Sequence, residues 1–149
     1  MPNNLKSIMV RNVDFKHPQM HGPEYSIEWE MSSYHAGALR AELKAHYMSC
    51  NPYSSFTKVI GMKKMNNGNY EFRAIRNGTN SQGALNDKPH VIDGSKKPLE
   101  DKAFLSGSKG SIKLYADPVT DECGNGTIRL IIDTIQVVHA IYSRGPDIE

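Results

Sequence analysis

Apolar and polar residues alternate with period two along much of the chain. A period near 3.6 is sustained in one segment only, so the pattern predicts a mostly β protein with a single helix. "KSIMVRNVDF" (Lys6 to Phe15), rich in β-branched residues, predicts a first strand that stops at the turn-forming "KHPQMHGP". "YSIEWEM" (Tyr25 to Met31) sets Tyr25, Ile27, Trp29 and Met31 on one side and Ser26, Glu28 and Glu30 on the other. "SSYHAGALRAELKAHYM" is the helix: Ser32 or Ser33 suits the N-cap, Ala36, Leu39, Leu43 and Tyr47 fall on one face, and "NPYSS" ends it.

After the helix, the Asn-Gly turn in "NNGN" predicts a hairpin in which Lys58 to Lys64 pairs with Tyr70 to Arg76. Then come a loop ("NGTNSQGALNDKP"), a short strand ("HVID") and a long basic connection, Gly94 to Lys109, of a length that is usually functional. "SIKLYA" (Ser111 to Ala116) and "TIRLIIDTIQVVHAIY" (Thr127 to Tyr142) complete the strands, and Asp133 and Thr134 interrupt the alternation of the last one as a β-bulge would. Five principal strands, one helix and no βαβ alternation predict an all-β fold with one helical insertion, and the count suits a five-stranded Greek-key barrel, the OB-fold. The 149 residues fit one such domain, 1–149, with a short flexible end at 143–149.

Composition changes this picture little. The chain is 38% hydrophobic and 23% charged, and no apolar run approaches the roughly 20 residues of a membrane helix. "MPNNLKSIMVRN" lacks the layout of a signal peptide, which predicts an intracellular protein that does not engage membranes. Cys50 and Cys123 lie far apart with no CxxC spacing, so reduced thiols are expected, and the "NGT" sequons at Asn77 and Asn125 read as turns.

Charge is more informative in its distribution than in its sum. The net charge is only +2, yet Lys58, Lys63, Lys64, Arg73 and Arg76 crowd Phe56 to Arg76 against the single acid Glu71. Candidate catalytic chemistry is thin. On the helix His35 and His46 are eleven apart, the six histidines suggest no metal site, "SGSKGS" lacks the Lys-Ser/Thr end of a phosphate-binding loop, and no carboxylate pair or nucleophile motif stands out. Neither a cofactor nor a metal is expected. What remains is cations interleaved with rings: Tyr70, Phe72, Ala74 and Arg76 share one side of their strand, Arg73 lies on the other, and in "SIKLYA" the core positions Ile112 and Leu114 turn Lys113 and Tyr115 outward. Cations suit phosphates and flat rings suit unstacked bases, the combination that binds single strands without reading sequence. The candidate binding residues are Lys58, Lys63, Lys64, Tyr70, Arg73, Arg76, Lys109, Lys113 and Tyr115, with Tyr53 and Tyr142 as further amphipathic rings. Trp29, Phe15 and Phe104 are assigned to the core.

From Lys6 to Tyr142 the order of pieces resembles the OB-fold single-stranded DNA-binding proteins of tailed phages. The resemblance is carried by "GPEYSIEWEM", "LRAELKAHY", "NDKPHVIDGSKKPLEDKAF", "LSGSKGSIKLYAD" and the terminal "GTIRLIIDTIQVV". It implies a non-catalytic protein, monomer or homodimer, that coats single strands in the cytoplasm of an infected bacterium. It also implies work in replication, recombination and repair beside a phage DNA polymerase, primase-helicase or nuclease. Proteins of this kind commonly end in a long acidic tail, whereas "SRGPDIE" carries only Asp147 and Glu149. The competing readings are a small metal-dependent phage nuclease and a structural or adaptor β-protein of the virion.

Overall fold

Ser32 stops the second strand and starts the helix: its hydroxyl accepts from the amide of His35 at 3.3 Å, satisfying one of the donors that a helix start leaves open. A computed structural model describes residues 5–19, 24–77, 89–98 and 107–139. In chain order the elements are β1 (Lys6–Gln19), β2 (Glu24–Met31), α1 (Ser33–Cys50), β3 (Phe56–Val59), β4 (Lys63–Lys64), β5 (Tyr70–Asn77), β6 (His90–Asp93), β7 (Lys109–Thr120) and β8 (Gly126–His139). Tyr142, Phe104, the middle of the basic connection and the end segment 143–149 lie outside the described residues.

The long strands close on themselves. β1 pairs antiparallel with both β2 and β7, β2 with β5, and β7 with β8, and a parallel contact between Ile75 of β5 and Ile131 of β8 completes the ring. This is a closed barrel of five strands with the connectivity of an OB-fold, as the strand count predicted. The free edge of β8 is covered in succession by β3, β5 and β6, all parallel to it, so its backbone groups are paired along most of its length. α1 is inserted between β2 and β5, with Ala36, Leu39, Leu43 and Tyr47 buried as the periodicity predicted. Tyr47 reaches furthest, its hydroxyl hydrogen-bonding Ser54 Oγ at 2.8 Å and Thr120 Oγ1 at 2.9 Å.

Two irregularities steer side chains near the surface. In the β7–β8 pair Lys113 faces Thr134 but Leu114 faces Ile132, leaving Asp133 as the extra residue of a bulge, where the broken alternation had placed one. In the β1–β7 pair the register breaks between Val10 and Val13, and Asn12 adopts a left-handed φ of 56°.

The hairpin after the helix differs from its prediction. Only Lys63 and Lys64 pair with Glu71 and Tyr70 across the Asn-Gly turn, whereas Lys58 belongs to β3, which runs beside β8. The physical cause is a tight reversal at Gly61, where φ is +88° and a Cβ would come within 2.8 Å of the Arg73 carbonyl oxygen. Just before that reversal the amide of Ile60 donates to the Ile128 carbonyl of β8, so the core edge takes this stretch of backbone. Phe15, Trp29, Phe72, Leu43, Ile112 and Leu130 fill the interior, and the rings of Trp29 and Phe72 stack at 5.6 Å. No described helix is long and apolar enough to cross a membrane.

Candidate nucleic-acid interface

Strand alternation sorts the outward side chains into separate surfaces. On β2 and β5 the inward set is Tyr25, Ile27, Trp29, Phe72 and Ala74, which leaves Glu24, Glu28, Glu30, Glu71 and Arg73 outside. The register places Arg73 opposite Glu28 but Glu30 opposite Glu71, a like-charge pair that would be unfavourable alone. Lys16 of β1 resolves it, its Nζ donating to Glu30 at 2.8 Å and to Glu71 at 3.1 Å. Asn67 and Asn69, in the β4–β5 turn, donate to the second Glu30 oxygen at 3.0 and 2.7 Å. The Lys16 hydrogen bond first, then those of Asn69 and Asn67, lower the Glu30 pKa from 4.5 to about 2. The Glu30 hydrogen bond is also the main cause of a raised Lys16 pKa, partly offset by desolvation. Arg73 Nη2 reaches Glu24 at 3.1 Å and its Nε lies 3.8 Å from Glu28.

The β7 side is built differently. Ile112, Leu114 and Ala116 are buried, which aligns Lys109, Lys113 and Tyr115 along the outer side, the last two as the sequence predicted. Their cross-strand neighbours on β1 are Asp14, Met9 and Ser7, and on β8 Tyr115 faces Ile131. Lys109 lies 3.4 Å from Asp14, with both side chains more than 60% exposed (64% and 63%). Lys113 is 3.8 Å from Asp133, the bulged residue, and Arg129 is held at 2.6 Å by Asp117. Met9 is 46% exposed, and Arg11 is exposed at the β1 irregularity. At the Lys109 end a cleft of about 460 Å³ is lined by Asp14, Phe15, Lys16, His17, Gly107 and Lys109. Gly110 is needed beside it, because a Cβ would meet the Gln136 carbonyl oxygen at 1.8 Å.

The other sequence-selected residues are dispersed. Lys58, Lys63 and Lys64 are exposed on either side of the Gly61 reversal and form no ion pair among the described residues. Tyr70 is half-buried and packs against the core, and Arg76, two positions beyond inward Ala74, donates to the Ile132 carbonyl at 3.0 Å. Tyr53 is fully exposed in the loop after α1. Sequence reasoning passed over Lys16, Arg11 and Met9. The signal for Lys16 was its place just after the core residue Phe15, which turns it outward, whereas the bulge at Arg11 and Asn12 hides the pattern for the other two.

This geometry accompanies a clear structural likeness. The chain superposes on the crystal structure of gp2.5, a single-stranded DNA-binding protein encoded by bacteriophage T7, with a TM-score of 0.66 and 13% identity, covering 96% of this chain and 91% of that one. It also superposes on the single-stranded DNA-binding protein of bacteriophage Enc34 in complex with ssDNA, with a TM-score of 0.64 and 14% identity over 93% and 89% of the two chains. The fold is theirs. At such identities the likeness establishes the barrel and its helical insertion. No family model matches the sequence, and no curated protein does. Among the described residues no group of three or more His, Cys, Asp or Glu is placed to hold a metal ion.

Proposed function

We propose that this chain is a phage single-stranded DNA-binding protein that coats exposed strands without strong sequence preference. The observation that carries the reading is the outward alignment of Lys109, Lys113 and Tyr115 on β7, in a fold shared with phage proteins of that description. Two ammonium groups attract phosphates and release counterions, and an amphipathic ring offers a stacking surface that a duplex has no unstacked base to meet. Association is an equilibrium, with no covalent step. Coating of this kind serves replication, recombination and repair in the cytoplasm of an infected bacterium, beside a phage polymerase, primase-helicase or nuclease.

The test is a titration of the chain with fluorescent oligo-dT and with a duplex of equal length at several salt concentrations. Tighter binding of the single strand is expected, with log affinity falling as salt rises by about 0.7 per phosphate contacted. Equal affinity for the two, or a flat salt response, would overturn the reading.

A further inference from the structure

OB barrels that bind oligonucleotides present to them the outer side of their second and third strands, with the loops joining strands one to two and four to five. In this chain those strands are β2 and β5, and their outer side is lined by Glu24, Glu28, Glu30 and Glu71. The loop joining the fourth and fifth barrel strands adds Asp121 and Glu122. A phosphodiester crossing there meets carboxylates. The ion-paired cations of that surface offer no relief: turning Arg73 to a phosphate would strip Glu24 and Glu28, and turning Lys16 would leave Glu30 and Glu71 facing each other across the ladder, while exposed Lys63, on the short edge strand, stands directly opposite the Glu71 carboxylate.

The β1–β7 side has the opposite balance. Its ion pairs are long or exposed, 3.4 Å for Lys109 with Asp14 and 3.8 Å for Lys113 with Asp133, so both ammonium groups can exchange an acid for a phosphate with little loss. Tyr115 stands two positions beyond Lys113 on the same side, and β1 adds exposed Met9 directly opposite Lys113 and Arg11 at the bulge. We infer that a bound strand runs along the β1–β7 side of the barrel, over Lys109, Lys113, Tyr115, Met9 and Arg11, and is kept off the β2–β5 side by that side's own carboxylates. This route rests on the proposed function and goes further, because it moves the contact surface away from the strands that the fold ordinarily uses.

The route is tested with full-length variants and fluorescent oligo-dT, each variant first checked by thermal melting. Replacing Lys109 and Lys113 together by Ala should weaken binding more than tenfold and reduce the salt slope by up to about 1.4, two phosphates' worth. Tyr115→Ala should weaken it about five- to hundredfold at unchanged slope, and Tyr115→Phe, which keeps the ring, should restore it. Arg73→Ala should stay within about twofold. On the unaltered chain, acetylation of Lys109 and Lys113 should be blocked by oligo-dT while Lys16, Lys63 and Lys64 stay as reactive as before, a readout that needs no variant to fold. Loss of binding with Arg73→Ala but not with the β7 double variant, or protection of Lys16, Lys63 and Lys64 instead, overturns the route while leaving the proposed function intact. An unaltered chain that binds no oligo-dT even at low salt overturns both.

Discussion

Arg73 on β5 and Lys113 on β7 are both outward cations on barrel strands, yet the structure uses them differently. Arg73 lies in a ladder that runs in unbroken register from Glu24 opposite Asn77 to Met31 opposite Tyr70, so the alternating acids of β2 fall beside it and hold it from two sides. Lys113 lies between two broken ladders, one interrupted at Arg11 and Asn12 and the other at Asp133, and among the described residues the acid it pairs with is the bulged residue, at 3.8 Å. A regular ladder fixes cross-strand charge pairs, whereas a bulge re-aims side chains and loosens them. Cations locked in a ladder stabilise the barrel, and cations beside a bulge remain available to a ligand. Counting charges along the chain does not separate the two.

The comparison can be broken most forcefully from beneath. Trp29 has no exposed surface, stacks on Phe72 with an interplanar angle of 10°, and supports the β2–β5 ladder from inside. Trp29→Ala should destabilise the fold by about 3–5 kcal/mol, read by thermal or urea unfolding. Trp29→Phe should be milder, since it also removes an indole N–H that has no hydrogen-bond partner among the described residues. Were Trp29→Ala to melt like the unaltered chain, the regular ladder would not depend on the core as described. Because Trp29 is the only tryptophan and is buried, its emission reports folding and not base stacking.

Local pattern made much of this visible in the sequence. The buried face of α1, the alternation of "YSIEWEM", the bulge at Asp133 and the outward set of β7 all follow from neighbours a few residues apart. What stayed hidden depends on distant partners. Lys16 meets Glu71 across 55 residues and Arg73 meets Glu24 across 49, so their pairing follows from register that only the closed barrel defines. The same holds for β3. The Asn-Gly turn that follows it suggested a hairpin with β5, but the open edge of β8 at Gly126 to Ile128 is a long-range backbone demand that took it instead. The outward set of β7 was therefore legible, whereas the ion pairs of Arg73 were not, because the positive run Phe56 to Arg76 gives no sign of the acids of another strand.

The second expected effect is smaller and belongs to the ladder alone. Glu30 has a folded pKa of about 2, below the 4.5 it would have without its Lys16, Asn69 and Asn67 donors. A depressed carboxylate contributes stability that is present above its unfolded pKa and is lost as pH falls through the folded value. Glu30→Gln should therefore lower Tm at pH 5 to 7, and the gap to the unaltered chain should close as pH falls from about 4.5 to about 2. Lys16 has the opposite sense: its raised pKa gives stability that is present below 10.5 and lost as pH rises through the folded value. Affinity for oligo-dT at neutral pH should change little in Glu30→Gln, because the carboxylate lies on the side that the strand avoids. A constant Tm gap across the acid range would mean that the Lys16 network adds nothing specific to the ionised form.

The smallest effect is expected at Tyr53, and it sharpens the comparison by fixing how far the ligand-bearing side extends. The ring is fully exposed and its loop is held from below, by the Tyr47 hydroxyl on Ser54 and by the Gly126 amide, which donates to the Ser55 carbonyl at 2.7 Å. Removing the ring opens no cavity, so Tyr53→Ala should leave stability within about 0.5 kcal/mol. Its loop stands at the Thr120 end of β7, since Tyr47 also bonds Thr120, and an extended strand carries that point about 35 Å from Lys109 at roughly 3.3 Å per residue. A short oligonucleotide seated on Lys109, Lys113 and Tyr115 should not reach it, so titration with oligo-dT of increasing length should show equal affinities for Tyr53→Ala and the unaltered chain at first. Any loss should appear only in the longer oligonucleotides and stay at or below the roughly 1–3 kcal/mol of one stacked base. Loss of equal size at every length would place Tyr53 inside the primary contact and shift the centre of binding from the Lys109–Tyr115 line toward the end of the barrel that α1 occupies.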